Sequence, residues 1–140
     1  MLPQVQLVSD VALLNSEAKK VLLVRYRRRG YDTGWYLPDV LLNPLEHPDE
    51  GAKRVLWEQL GSTPSQISLS HVESFEAEGF WHLAFHYKAE SDDKVGDHTS
   101  TDITELRWFP VDELPDFSDV GFNGWALKTL RRILKASECV

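Results

Sequence analysis

Residues 48–61 constrain the fold of this chain more than any other segment. Pro48 suits a first helical turn, where its missing N–H is not needed, and Asp49 and Glu50 sit where the helix dipole favours negative charge. Ala52, Leu56 and Leu60 then recur every four residues with Val55 beside them, the apolar stripe of a helix over 48–60. Gly61 is placed to cap its C-terminus. The only weak point is Gly51, worth about 1 kcal/mol relative to Ala. A stripe this narrow must lie on another element, so Ala52, Leu56 and Leu60 are expected to be buried against a sheet.

The rest of the chain supplies the strands. Val5–Leu14 and Val21–Arg25 are apolar and β-branched around a turn at Asn15–Ser16–Glu17. Trp35–Val40 carries Leu37-Pro38 and reads as extended. Ile67–Ser74 and Phe80–Ala89 flank a turn at Ala77-Glu78-Gly79, and Trp81, Leu83, Phe85 and Tyr87 alternate with His82, Ala84, His86 and Lys88. Ser91–Thr101 is polar and acidic, a loop. Glu105–Phe109 is a further strand, Pro110–Leu114 a helical turn, and Asn123 the expected cap of a last helix. Its apolar face is Ala126, Leu127, Leu130, Ile133 and Leu134. Helices in the middle and at the end of a strand-rich chain predict an α/β fold with a mixed sheet between helices, one domain over 1–140.

Charge narrows the partners. Residues 1–54 hold 8 basic and 7 acidic residues, and residues 55–140 hold 7 and 15. A duplex nucleic acid partner is disfavoured, since neutralising phosphates takes a basic footprint. The one cysteine, Cys139, excludes an intrachain disulfide and a cysteine-based zinc site. No apolar run reaches membrane-spanning length, so no membrane partner and a reducing cytoplasmic setting are expected.

Trp35-Tyr36-Leu37-Pro38 precedes a loop, then Glu46, Arg54, Leu56, Glu58 and Gly61 follow at fixed intervals. This order resembles the box of the Nudix hydrolases (the MutT-like family), with Gly61 in the last glycine slot, Glu46 in the isolated glutamate slot and Arg54 in the arginine slot. Val21–Arg25 and Glu105–Leu114 resemble the flanking strands of that family. The resemblance implies a Nudix-type α/β/α sandwich. It also implies a divalent Mg²⁺ or Mn²⁺ cofactor held beside a diphosphate by three helix glutamates. Those slots hold Val55, Glu58 and Gln59 here, and Asp39-Val40 stands in place of a Gly-Gly pair. At i, i+3 and i+4 the three slots would share one α-helical face. A valine cannot bind a cation, and an amide lacks the charge a hard cation prefers. Of the box, Glu46, Arg54 and Gly61 are structural, and Glu58 alone is left as a catalytic and metal-binding candidate.

Two readings follow from the resemblance. The favoured one is a nucleotide-binding domain for a nucleoside diphosphate-type small molecule, impaired or inactive as a hydrolase. The alternative is an active hydrolase of nucleoside diphosphate derivatives, its metal site rebuilt by Asp39, Glu73, Glu76, Glu78, Asp102 or Glu105. On the first reading, Glu at both 55 and 59 would restore Mg²⁺ binding. Arg25, Arg27, Arg28 and Arg29 form a basic run, with Tyr31, Trp35 and Tyr36 nearby to stack on a base. Arg25, Arg27, Tyr31, Trp35 and Tyr36 are therefore the substrate-binding candidates, and Arg28 reads as a solvated strand end. His82 and His86, four apart on a strand and so separated by about 13 Å, cannot chelate one ion. A homodimer is compatible with the sequence.

Overall fold

The computed structural model describes residues 4–17, 19–64, 66–77, 79–91 and 100–138. Glu78, Cys139 and most of the acidic 91–101 stretch therefore lie outside the described residues. Six strands form one sheet: β1 (Val5–Asn15), β2 (Lys20–Tyr26), β3 (Asp39–Leu41), β4 (Gln66–Ala77), β5 (Phe80–Glu90) and β6 (Ile103–Pro110). The order is β4-β5-β1-β2-β6. β1 runs parallel to β5 and antiparallel to β2 and β3, so the sheet is mixed. One side of β1 is shared: β3 pairs at residues 8–10 and β2 at residues 14–15.

Period-two alternation sends successive side chains to opposite layers. Val11 and Leu13 of β1 and Leu22 and Val24 of β2 pack under the box helix with Ala52, Val55, Leu56 and Leu60. Ala12, Leu14, Val21 and Leu23 face the other way, under Ala126, Leu127, Leu130 and Ile133 of helix α2 (Gly121–Glu138). Both layers exclude water, and the result is the expected mixed sheet between helices. None of the described helices is long and apolar enough to cross a membrane.

Three local expectations are corrected. The box helix is α-helical only over α1 (Pro48–Arg54); Val55–Gln59 is a π turn, with Leu60 closing it. The last helix begins at Gly121, so Asn123 lies within its first turn and is not its cap. Residue 121 is a glycine because the ring of Tyr36 occupies the space a Cβ would need. Residues 111–113 form a turn without helix, and the helical turn falls instead at Phe117–Asp119.

Candidate functional site

The π turn decides where the box side chains point. An α-helix advances about 100° per residue and a π turn, with about 4.4 residues, about 82°. In an ideal π turn Val55 and Gln59 would stay within about 30° of each other, while Glu58 would stand about 115° from Val55 instead of about 60°. The burial agrees. Val55 is 1% exposed and Gln59 6%, both turned into the protein. The Glu58 side chain is 60% exposed, its carboxylate 3.7 Å from Arg54. The three slots do not share a face, contrary to the α-helical spacing. The box thus turns out a single carboxylate.

Glu46 and Arg54 meet as the box spacing requires. Arg54 donates from Nε and a terminal nitrogen to the two Glu46 oxygens, at 2.9 Å each, and also to the Leu41 carbonyl. Glu46 accepts the Asn43 N–H as well. This fork ties the 42–47 loop to the helix and holds the Glu46 carboxyl below its ordinary range, Arg54 being the main cause.

Gln59 is locked into a buried network. Its Oε1 accepts from the Tyr26 hydroxyl at 2.6 Å, and its amide donates to the Asp39 carbonyl at 2.8 Å. Tyr26 in turn accepts the Asp39 N–H at 2.9 Å. An amide can both donate and accept here, which an ionised glutamate in the same place could not. The Asp39 carboxylate turns away from the helix, to Arg28 at 2.6 Å and to the Tyr31 hydroxyl at 2.8 Å. Arg28 also reaches Asp102 at 3.1 Å and lies 3.8 Å above the Tyr26 ring. It is a half-buried hub, not a solvated strand end. Among the described residues, the ion-pair contacts of Asp102, Glu105 and Glu73 also lead away from this helix. Asp102 is held by Arg28, Glu105 by Arg25 and Arg107, and Glu73 lies on the far face of the sheet.

Burial raises the Asp39 pKa from the ordinary 3.8 to about 6, with Arg28 and Tyr31 pulling it back and Asp10 adding to the rise. A carboxyl whose pKa is raised by folding favours the folded state below pH 3.8 and loses that contribution as pH rises to about 6. The loss is about 2–3 kcal/mol between pH 4 and pH 7. Asp39→Asn keeps the hydrogen bonds without the titration. Urea unfolding at both pH values is expected to show this loss in the wild type and not in the variant.

The substrate-binding candidates divide. Arg25, Arg27 and Tyr31 line a cleft of about 620 Å³ together with Arg28 and Arg29. Trp35 and Tyr36 are 2% exposed and belong to the two cores. Trp35 packs edge-on against Phe109 and carries the Arg25 guanidinium 4.3 Å above its ring, while Tyr36 packs on Tyr26 and Tyr31. Aromatics that could have stacked on a ligand serve as internal platforms instead.

The sequence did not single out a second cavity, of about 260 Å³, which shares Arg29 and Tyr31 with that cleft. Phe75, Phe80, His82 and Trp125 form its aromatic wall, and Phe75 and His82 stack at 5.2 Å with their planes 6° apart. Asp10 Oδ2 and Trp125 Nε1 are buried without hydrogen-bond partners, and both residues line this cavity. The signal in the sequence was the pleat: residues 75 and 77 of β4 and 82 and 84 of β5 share one face of the sheet.

A family model of the NUDIX domain matches residues 6–131. Among solved structures, the chain is similar to a MutT NUDIX hydrolase from Burkholderia pseudomallei, at 24% identity over 81% of this chain and 88% of that one (TM-score 0.70). It is similar to the NUDIX domain of Shewanella oneidensis NrtR complexed with ADP ribose, at 16% identity over 96% and 90% (TM-score 0.77). It is also similar to a MutT protein from Methanosarcina mazei Go1, at 21% identity over 94% and 96% (TM-score 0.72). No curated protein matches the chain.

Proposed function

The chain belongs to the Nudix family, and we propose that it binds a nucleoside diphosphate-type ligand without hydrolysing it at the box helix. One observation carries the reading: Val55 is sealed in the core and Gln59 is held by Tyr26 and Asp39, so Glu58 stands alone. The family's Mg²⁺ or Mn²⁺ does not fit these residues. A hard cation must exchange tightly held water for anionic oxygens, and this helix offers one such group.

The two joined pockets match the two halves of such a ligand. Phosphates suit the arginine cleft, where guanidinium groups make charge-assisted hydrogen bonds. A base suits the aromatic cavity, with the Trp125 N–H and the free Asp10 oxygen as hydrogen-bond groups. The complex of the NrtR NUDIX domain with ADP ribose supports this at the level of the fold.

ADP-ribose is the probe. Titration calorimetry is expected to show binding in EDTA that added Mg²⁺ does not strengthen, with the ligand recovered intact by chromatography. Phe75→Ala removes the stacking ring and is expected to weaken binding by about 1–3 kcal/mol, roughly 5- to 150-fold. Mg²⁺-dependent turnover that disappears in Glu58→Gln would defeat the proposal, as would failure of ADP-ribose and ADP alike to bind.

A further inference from the structure

We infer that His71, Glu73 and His86 form a transition-metal site on the α2 face of the sheet, with Zn²⁺ the ion that its donors suit. This face is opposite the box helix, and the inference does not depend on the fate of the box.

A β-bulge assembles the cluster. β4 pairs with β5 in register up to Leu69↔Tyr87, skips Ser70, and resumes at His71↔His86. The extra residue brings His71 opposite His86 and onto the same face as Glu73. Bulges recur where a strand must re-aim a side chain.

The three side chains bring one ligand atom each within 4.8 Å of the others. His86 is fully buried, and its Nδ1 lies 2.7 Å from Asp10 Oδ1. With the Asp10 carboxylate as acceptor, Nδ1 carries the proton and Nε2 keeps its lone pair. Nε2 faces another acceptor, Glu73 Oε1, at 3.0 Å, yet forms no hydrogen bond of acceptable angle. His71 Nε2 approaches the same oxygen at 3.3 Å, while its Nδ1 is engaged by Ser70 Oγ at 2.9 Å. Thr129 of α2 donates to Glu73 Oε1 at 3.1 Å. His71 and Thr129 hydrogen-bond to Glu73 Oε1, while His86 Nε2 points at the same oxygen without a hydrogen bond, so the two histidine nitrogens and the carboxylate oxygen converge as the ligands of one cation must.

The dimensions also fit. Zinc bonds of about 2.0–2.1 Å in a tetrahedron place the ligand atoms about 3.3–3.4 Å apart. Two of the three separations here are 3.0 and 3.3 Å, and all lie within 4.8 Å. Two imidazoles and one carboxylate are a donor set for zinc and its neighbours, not for Mg²⁺. Asp10 holds one histidine from behind, the usual outer-shell support of a metal-bound imidazole. Three protein ligands leave a fourth position for water, and Glu73, 28% exposed, is the side open to solvent.

The test uses the full chain, stripped with EDTA and desalted. Calorimetry is expected to give one Zn²⁺ per chain, unaffected by millimolar Mg²⁺, and Co²⁺ is expected to give the visible absorption of a four-coordinate site. His71→Gln and Glu73→Gln are expected to weaken Zn²⁺ at least about tenfold while keeping the wild-type circular dichroism. His47→Gln, an exposed loop histidine, is expected to leave binding unchanged. Equal Zn²⁺ affinity in wild type, His71→Gln and Glu73→Gln would overturn the site. So would the absence of saturable binding, with nitrogen NMR showing His86 protonated on both nitrogens.

Discussion

A Val55→Glu variant is expected to lose about 4–5 kcal/mol of folding stability in urea unfolding at pH 7, and to gain no Mg²⁺ affinity. Spacing alone predicts the reverse for the pair, that glutamates at both 55 and 59 strengthen Mg²⁺ or Mn²⁺ binding at the helix. The structure removes the premise. Val55 is 1% exposed and packed with Leu22, Val24 and Leu56 under the sheet. An ionised carboxylate there has no partner, and a protonated one still buries an unsatisfied hydroxyl among apolar neighbours. Adding Gln59→Glu makes matters worse. The donor to the Asp39 carbonyl is lost, and in a π turn the two new carboxylates lie almost in line along the helix. Each would raise the pKa of the other. A variant as stable as the wild type that binds Mg²⁺ tightly would show that the π turn can rewind to α-helix, and would sink this account.

The contrast shows where the sequence is legible. Elements dominated by local periodicity were readable: alternation placed the strands, and Pro48, the acidic first turn and the Ala52–Leu56–Leu60 stripe placed the box helix. The switch from α to π at Val55 was not, because no residue type marks the exchange of i→i+4 for i→i+5 bonds. Sequence alone does not separate Trp35 and Tyr36 from stacking groups, because an aromatic looks the same in a core and in a binding site. Sequence distance does not reveal His71 and His86 as partners, because spacing along one strand says nothing about a bulge in its neighbour. Register across strands, not spacing within them, brings His71, Glu73, His86 and Asp10 together. Arg28 was misread for a similar reason: its partners, Asp39 and Asp102, are 11 and 74 residues away.

Arg28→Met is expected to destabilise the protein by about 3–5 kcal/mol, the range for removing one partner of a buried ion pair. The guanidinium is the sole cation against Asp39 among the described residues, and it stacks on the Tyr26 ring. Without it, the Asp39 carboxyl keeps its burial and the repulsion of Asp10 but loses its largest opposing influence. The Asp39 pKa should then rise further above 6, and the loss of stability with rising pH should extend to higher pH. Tyr26, Gln59 and the Asp39 backbone form one hydrogen-bonded unit with this pair, so the damage is expected to reach the π turn. A second substitution separates the ion pair from mere packing. In the Arg28→Met background, Asp39→Asn removes the stranded charge, and a neutral isosteric pair is expected to recover most of the lost stability. Urea unfolding of the two single variants and the double variant closes the cycle. Additive losses would mean that Arg28 acts only through its packing on Tyr26, and that the Asp39 carboxylate finds its compensation elsewhere.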